Sequence, residues 1–495
     1  MPARCFRVLR KITRGVTRVV LWAATVFGLL VLALCVLFAR LTPSRHVNPE
    51  IARKIYSAAA DGRLAYRLTE PNEMIRLLGQ PTAQMRSDSE ASRRLWLEWP
   101  GVGATFVKIQ DAAAPTLAWL KLGGVHVAVG DFGSTLGATV VDIGRGRPVV
   151  LRNTDDLRKF DSFFGFQDIS LARLDLRGYR EILLTLPFDS RTKWPPGDKM
   201  PEGFDPNALL EEGKNPGLGV RQLHAQGIDG RGVAIAIVDH PLLTSHVEYK
   251  QQLRQYNKVG TVAKFASAQM HGPAVASLAV GKDCGVAPRS PLYHFAFMPV
   301  SMPDNREYCR IVDKILQLNQ SLPASEKIRV ISISYGMFSM LPHREQWLET
   351  VGRARQQGIL VVTCDPAFMN YGTLAHVPGT DPDDPSNYRI GRYSPPQPVL
   401  LIPAGGRTLA SEAGPSLYKY DPVGGMSWAA PYLAGLAAMA FQRDPAIDPD
   451  TIPKLLLDTA TKTQAGNIVN PRGFIEAVEE HARIRSSPQP NTSQP

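Results

Sequence analysis

The chain has 495 residues, 44% hydrophobic and 20% charged. This is ordinary globular composition, with room for two or three domains that each bury a core. Its net charge of +11 is unevenly spread: Arg4, Arg7, Arg10, Lys11, Arg14 and Arg18 supply six charges with no acid among them, leaving about +5 for the rest. That remainder is no electrostatic footprint for nucleic acid, so no nucleic-acid partner is expected.

The basic segment, residues 1–18, leads into Val19 to Ala39, 21 residues without a charge. As a helix this run spans about 30 Å, enough to cross the hydrocarbon core. Its exit, Cys35-Val36-Leu37-Phe38-Ala39-Arg40-Leu41, is a poor cleavage site, and Leu34 is too large for a lipoprotein signal before Cys35. The expectation is an uncleaved anchor at 19–39. The positive cluster holds the N-terminus in the cytoplasm and the bulk outside, in a periplasm or on a cell surface. Five cysteines, with Cys284, Cys309 and Cys364 beyond the anchor, suggest neither a disulfide scaffold nor a C-x-x-C metal site, and free thiols are expected.

Residues 41–190 open with helical patterns at Pro49 to Arg67 and Glu70 to Leu78. Strand-like runs follow at Leu95 to Trp99, Thr105 to Gln110, Leu117 to Gly130, Thr139 to Ile143 and Val149 to Leu151. Ile182 to Phe188 closes an α+β region without a chemical motif. Residues 191–218, rich in Pro, Gly and charge, read as a linker.

From Gly219 short apolar strands alternate with helical stretches, the pattern of an α/β fold on a parallel sheet, here 219–480. The strands are Val233 to Val238, Leu292 to Ala296, Arg329 to Ile333 and Gly358 to Thr363. The helices are His271 to Val280, Glu307 to Leu318, Arg344 to Gln357 and Ser427 to Phe441. The polar, Pro-rich tail 486–495 is expected to be disordered.

Three segments invite chemistry. Gly232-Val233-Ala234-Ile235-Ala236-Ile237-Val238-Asp239 places an acid at the carboxyl end of a buried strand, where open α/β sheets carry their sites. A cap or a solvated loop residue would look the same. His271-Gly272-Pro273-Ala274-Val275-Ala276-Ser277 opens an apolar helix with an imidazole, which is also compatible with a helix cap or a core histidine. Gly424-Gly425-Met426-Ser427-Trp428-Ala429-Ala430-Pro431 puts a hydroxyl at the start of a long helix. Pro431 is tolerable only near a first turn, so the helix is expected to begin at or beside Ser427. The plain alternative is a serine N-cap.

Together these segments resemble the subtilase family in its Asp, His, Ser chain order. Ala-Ile-Ala-Ile-Val-Asp resembles its Asp motif, His-Gly-Pro-Ala-Val-Ala-Ser its His-Gly-Thr-His-Val-Ala-Gly, and Gly-Met-Ser-Trp-Ala-Ala-Pro its Gly-Thr-Ser-Met-Ala-Ala-Pro. The spacings of 32 and 156 residues match the roughly 32 and 157 of subtilisin. Ile331-Ser332-Ile333-Ser334-Tyr335-Gly336 resembles the family's cleft strand, and Gly466-Asn467-Ile468-Val469-Asn470 its closing segment.

The resemblance implies a subtilisin-like parallel sheet flanked by helices. It implies a serine peptidase in which Ser427 attacks, His271 is the base and Asp239 orients it. Ser334, Tyr335 and Gly336 would bind a protein or peptide substrate by strand addition. The family often binds structural calcium, but no metal-ligand cluster stands out and no cofactor is expected. Residues 41 to about 205 stand where a propeptide would, or form an accessory domain.

The sequence departs from the family at Met426, at Pro273-Ala274 and at the oxyanion-hole segment. No Gly-Asn follows Gly358-Ile359-Leu360-Val361-Val362. Asp365 sits nearest the expected place and Asn370 is the nearest amide. An ionised Asp365 cannot donate to an oxyanion, so the runner-up is a subtilase-shaped binding module with feeble catalysis. His240, His246, His294 and His376 read as structural.

Overall fold

The computed structural model describes residues 49–60, 70–88, 92–99, 102–109, 116–122, 125–129, 141–143, 149–151, 153–159, 166–167, 169–259, 268–298, 304–392 and 394–486. Among the described residues no helix is long and apolar enough to cross a membrane. The expected anchor at 19–39 and the tail after Ser486 lie outside them.

The first region is α+β. Helices α1 (Pro49–Ala60) and α2 (Pro71–Leu78) precede six strands: β1 (Ala83–Asp88), β2 (Ser92–Trp99), β3 (Val102–Ile109), β4 (Thr116–Leu122), β5 (Val125–Val129) and β6 (Val141–Ile143). They form one sheet in chain order, antiparallel except for the β5–β6 pair. The run expected as a single strand from Leu117 is thus the β4–β5 antiparallel pair. Short strands β7 (Val149–Val150) and β8 (Ile169–Ser170) pair next, followed by α3 (Arg180–Thr185), β9 (Phe188–Asp189) and α4 (Pro206–Glu212).

The stretch expected as a linker is instead packed. Residues Phe188, Phe204 and Leu209 are buried in one cluster with Tyr420, and Trp194 packs against them. Phe188 meets Trp194 edge-on at 5.3 Å and Tyr420 at 5.2 Å. Asp205 caps α4 by accepting from the Asn207 and Ala208 amides, with Pro206 at the first helical position. Proline and glycine set the turns, while aromatics at irregular spacing supply the burial.

Next come α5 (Val220–Ala225), β10 (Ala234–Asp239), β11 (Leu253–Val259), α6 (His271–Val280), β12 (Leu292–Phe297), α7 (Asn305–Ser321), β13 (Ile328–Ile333), α8 (Arg344–Gln356) and β14 (Leu360–Thr363). The five strands form a parallel sheet in the order β11-β12-β10-β13-β14. Further strands are β15 (Tyr371–His376), β16 (Tyr388–Ile390), β17 (Leu400–Gly405), β18 (Arg407–Ala410) and β19 (Tyr418–Asp421). Then come α9 (Met426–Arg443), α10 (Thr451–Asp458), β20 (Thr461–Thr463), β21 (Gly466–Ile468) and α11 (Pro471–Ser486). β18, β19 and β9 make a small antiparallel sheet, so the end of the first region, just before the stretch expected as a linker, contributes a strand to it.

Side-chain alternation along β10 sorts the core into two faces. Ile235 and Ile237 join the cluster containing α6 and α9. Ala234, Ala236 and Val238 join the one containing α7 and α8. By the same alternation Asp239 falls on the face covered by α6 and α9, the two helices that begin near His271 and Ser427.

Candidate active site

Asp239 ends the central strand and is buried, at 7% exposure. Its Oδ1 accepts from the His240 amide and lies 2.7 Å from His271 Nδ1. Burial alone would push this carboxyl up. The charge and hydrogen bond of His271, with the charge and amide of His240, outweigh burial and hold it below the usual aspartate range. An ionised carboxylate only accepts, so the neutral His271 carries its proton on Nδ1 and leaves Nε2 free to take another.

Gly272 explains how His271 reaches that position. A Cβ at residue 272 would stand 2.3 Å from the His240 carbonyl, so only glycine lets the start of α6 press against the backbone that follows Asp239. His271 opens the helix, and its side chain is 23% exposed.

Ser427 is the second residue of α9, where a backbone N–H has no intrahelical acceptor. The turn before it runs close against β17: a Cβ on Gly424, whose φ is +68°, would fall 2.4 Å from Ala404. The helix starts at Met426, beside Ser427 as expected, but Pro431 lies inside it rather than in its first turn. Pro431 has no N–H for the Ser427 carbonyl four residues back. The Ser334 hydroxyl donates to that carbonyl instead, at 3.0 Å. A helix defect thereby fastens Ser427 to the chain leaving β13. The Ser427 hydroxyl in turn points at the Ser334 carbonyl, at a long 3.5 Å.

Asp239 and His271 are in direct contact, whereas the Ser427 hydroxyl bonds the Ser334 carbonyl and not His271; the link to the serine is its neighbour Trp428, whose ring lies 5.0 Å from the His271 ring. Tyr335 has both backbone groups occupied. Its amide bonds Ile333 and its carbonyl accepts from the Cys364 amide.

The two oxyanion-hole candidates are committed elsewhere. The buried Asp365 carboxylate accepts from the Ser339 amide and hydroxyl and from the Ala367 amide. It ties two loops together as an acceptor. The Asn370 amide donates to the Pro396 and Gln397 carbonyls and fixes that loop. Cys284, Cys309 and Cys364 are free thiols. Burial pushes Cys364 up to about 12, so it is no thiolate nucleophile at neutral pH. Among the described residues, no group of three or more His, Cys, Asp or Glu side chains could hold a metal ion.

His240 and His294 back the site. The rings of His240 and His271 lie 5.4 Å apart. His294 Nε2 donates to the His240 carbonyl at 2.9 Å, and its buried Nδ1 has no partner among the described residues. Burial holds His294 down, from an ordinary 6.5 to about 4. The unfolded chain therefore binds a proton that the folded one refuses between those values. His294 is expected to cost nothing above pH 6.5 and to remove about 3 kcal/mol of stability as pH falls to 4. Denaturant unfolding at several pH values, compared with His294→Phe, measures this. Equal pH slopes for the two proteins would exclude it.

A parallel sheet thus carries a His–Asp pair at the end of its central strand, and a serine stands at the start of a covering helix. Residues 230–365 match the subtilase family model, the family that the motifs resemble. That span holds Asp239 and His271 and ends before Ser427. Among solved structures, the chain is similar to the A-subunit of the AB5 toxin from E. coli, at 14% identity over 53% of this chain and 98% of that one, with a TM-score of 0.41. It is also similar to the prenylagaramide maturation protease PagA (15%, 52% and 98%, TM-score 0.38) and to a cold adapted subtilisin-like serine proteinase (18%, 48% and 89%, TM-score 0.35). No curated protein matches in sequence.

Sequence reasoning missed Trp428 and Asp421 as parts of the site. Asp421 Oδ2 accepts from the Trp428 indole at 2.9 Å, and its Oδ1 accepts from the Val423 and Gly424 amides. Their only signal in the sequence is an aromatic residue beside the motif serine.

Proposed function

We propose that this chain is a membrane-anchored serine endopeptidase acting outside the cytoplasm through Asp239, His271 and Ser427. The observation that carries the reading is the 2.7 Å contact between His271 Nδ1 and Asp239 Oδ1 at the end of the central strand. In the reaction the Ser427 hydroxyl turns from the Ser334 carbonyl to His271 Nε2, which takes its proton as the oxygen attacks the scissile carbonyl. His271 returns that proton to the leaving amine, and water then hydrolyses the acyl-enzyme. Asp239 holds the tautomer and balances the imidazolium. The Ser427 amide, at the positive end of α9, faces the developing oxyanion. Ser334 and Gly336, on either side of the occupied Tyr335, offer backbone groups to an extended substrate. The basic residues 1–18 and the apolar run 19–39 provide the anchor.

A second reading has its own motive. With Asp365 and Asn370 engaged elsewhere, the oxyanion lacks the amide donor that the family places there, and losing one donor costs about 100- to 1000-fold in turnover. A subtilase-shaped binding module would tolerate that loss. Full-length protein in detergent, treated with a fluorophosphonate, separates the two. Labelling of Ser427 that disappears in His271→Ala supports the peptidase, whereas folded protein that stays unlabelled supports the module. Carbonate extraction of membranes tests the anchor.

A further inference from the structure

We propose that Trp428 is a positioning residue for His271: its indole, locked by Asp421, holds the imidazole in place and favours its protonated form. The inference rests on the peptidase reading for its kinetic consequence, but its core concerns a contact that exists whether or not the protein turns over.

Trp428 is the third residue of α9 and only 6% exposed, so its ring is fixed by the same backbone that fixes Ser427. One Asp421 carboxylate oxygen accepts from the indole N–H, while the other caps the turn through the Val423 and Gly424 amides. A single buried carboxylate thus sets both the entry to the nucleophile and the orientation of the indole. The indole packs on His271 with ring centroids 5.0 Å apart and planes tilted by 38°. On its other contacts His271 meets the His240 ring at 5.4 Å and Asp239 at Nδ1. The imidazole is therefore restrained by two rings and one hydrogen bond.

When His271 accepts the Ser427 proton it becomes a cation within reach of the indole π system, and tryptophan is the best of the aromatic partners for a cation. The titratable groups around it are Asp239 at the end of β10 and His240 just after it, His294 on β12 behind His240, Cys364 after β14, and Asp421 through the indole. Asp239 favours the imidazolium. His240 opposes it only when protonated, and burial of its ring disfavours that. The indole adds to the effect of Asp239.

Histidine-ring NMR titration of the full-length protein in detergent, with the His271 signal assigned by its absence in His271→Ala, reads this without any need for turnover. Trp428→Leu removes the π face and is expected to lower the His271 midpoint by about half to one pH unit. Trp428→Phe keeps an aromatic face and is expected to restore most of it. In peptide hydrolysis the Leu variant is expected to lose about three- to tenfold in kcat with KM unchanged, and its acid limb should move to lower pH by the same amount. Protonated histidine quenches indole emission, so wild-type fluorescence should titrate with the His271 midpoint, and this step should vanish in His271→Ala and in Trp428→Phe. An unchanged NMR midpoint in folded Trp428→Leu overturns the proposal. If that variant does not fold, a fluorescence step that survives His271→Ala overturns it instead. Should wild type resist fluorophosphonate and hydrolyse nothing while the titrations behave as expected, the peptidase reading fails and the Trp428–His271 coupling stands.

Discussion

Ser427→Ala and His271→Ala are each expected to lower peptide turnover by about a million-fold, the scale of the same deletions in subtilisin, and the double variant should fall little further. The near-equality comes from their joint action: a hydroxyl without its base and a base without its hydroxyl are equally idle. Asp239→Asn should cost about 10,000-fold by a different route. The Asn amide can donate to His271 Nδ1, which moves the ring proton to Nε2 and turns the base away from Ser427. Because Asp239 is buried with its Oδ1 already shared between His271 and the His240 amide, Asn fits the same space and the fold should survive. Turnover of a fluorogenic peptide and the rate of fluorophosphonate labelling give two measures of the same loss. The labelling rate remains useful if the oxyanion site makes wild type slow. Turnover that persists in purified Ser427→Ala would remove Ser427 from the chemistry.

The parts of this site that are legible in the sequence are those written in local pattern. An unbroken apolar run ending in Asp239 marks a buried parallel strand, and small residues after His271 mark a helix packed close to it. Features set by side-chain direction are not legible. Asp365 stands out by its place after β14, but its carboxylate is held by Ser339 and Ala367, an arrangement set by the loop Phe338–Met340 that no spacing reveals. β11, Leu253–Val259, escapes because it is an edge strand, half-exposed and polar along its length. Pro431 reads as a first-turn proline because its missing N–H calls for an orphan position. The Ser334 hydroxyl supplies a replacement that only tertiary structure can bring near. The packed segment around Phe188 escapes for a related reason, since four apolar anchors spread over 22 residues obey neither a helical nor a strand period.

That segment carries the second large effect. Phe188 is fully buried between Trp194, Phe204 and Tyr420, and its strand pairs Phe188 with Tyr420 and Asp189 with Lys419. Phe188→Ala is expected to cost about 3–5 kcal/mol, the range for large aromatic truncations in a core, and to lower Tm by roughly 10 °C or more. The damage should also reach the active site. β19 ends in Asp421, which caps the turn before Ser427 and anchors Trp428. A strand that loses its partner β9 holds that carboxylate less firmly. The same pairing bears on proteolytic processing. Pro196 to Lys199 are exposed, so trypsin has access after Lys199. If residues up to 199 were a propeptide, the cut pieces would part. With β9 hydrogen-bonded to β19 and Phe188 packed on Tyr420, the nicked protein is expected to run as one species in native chromatography and to separate only in denaturant. Fragments that part under native conditions would show that this strand is a removable cover rather than a portion of the domain that carries Asp239, His271 and Ser427.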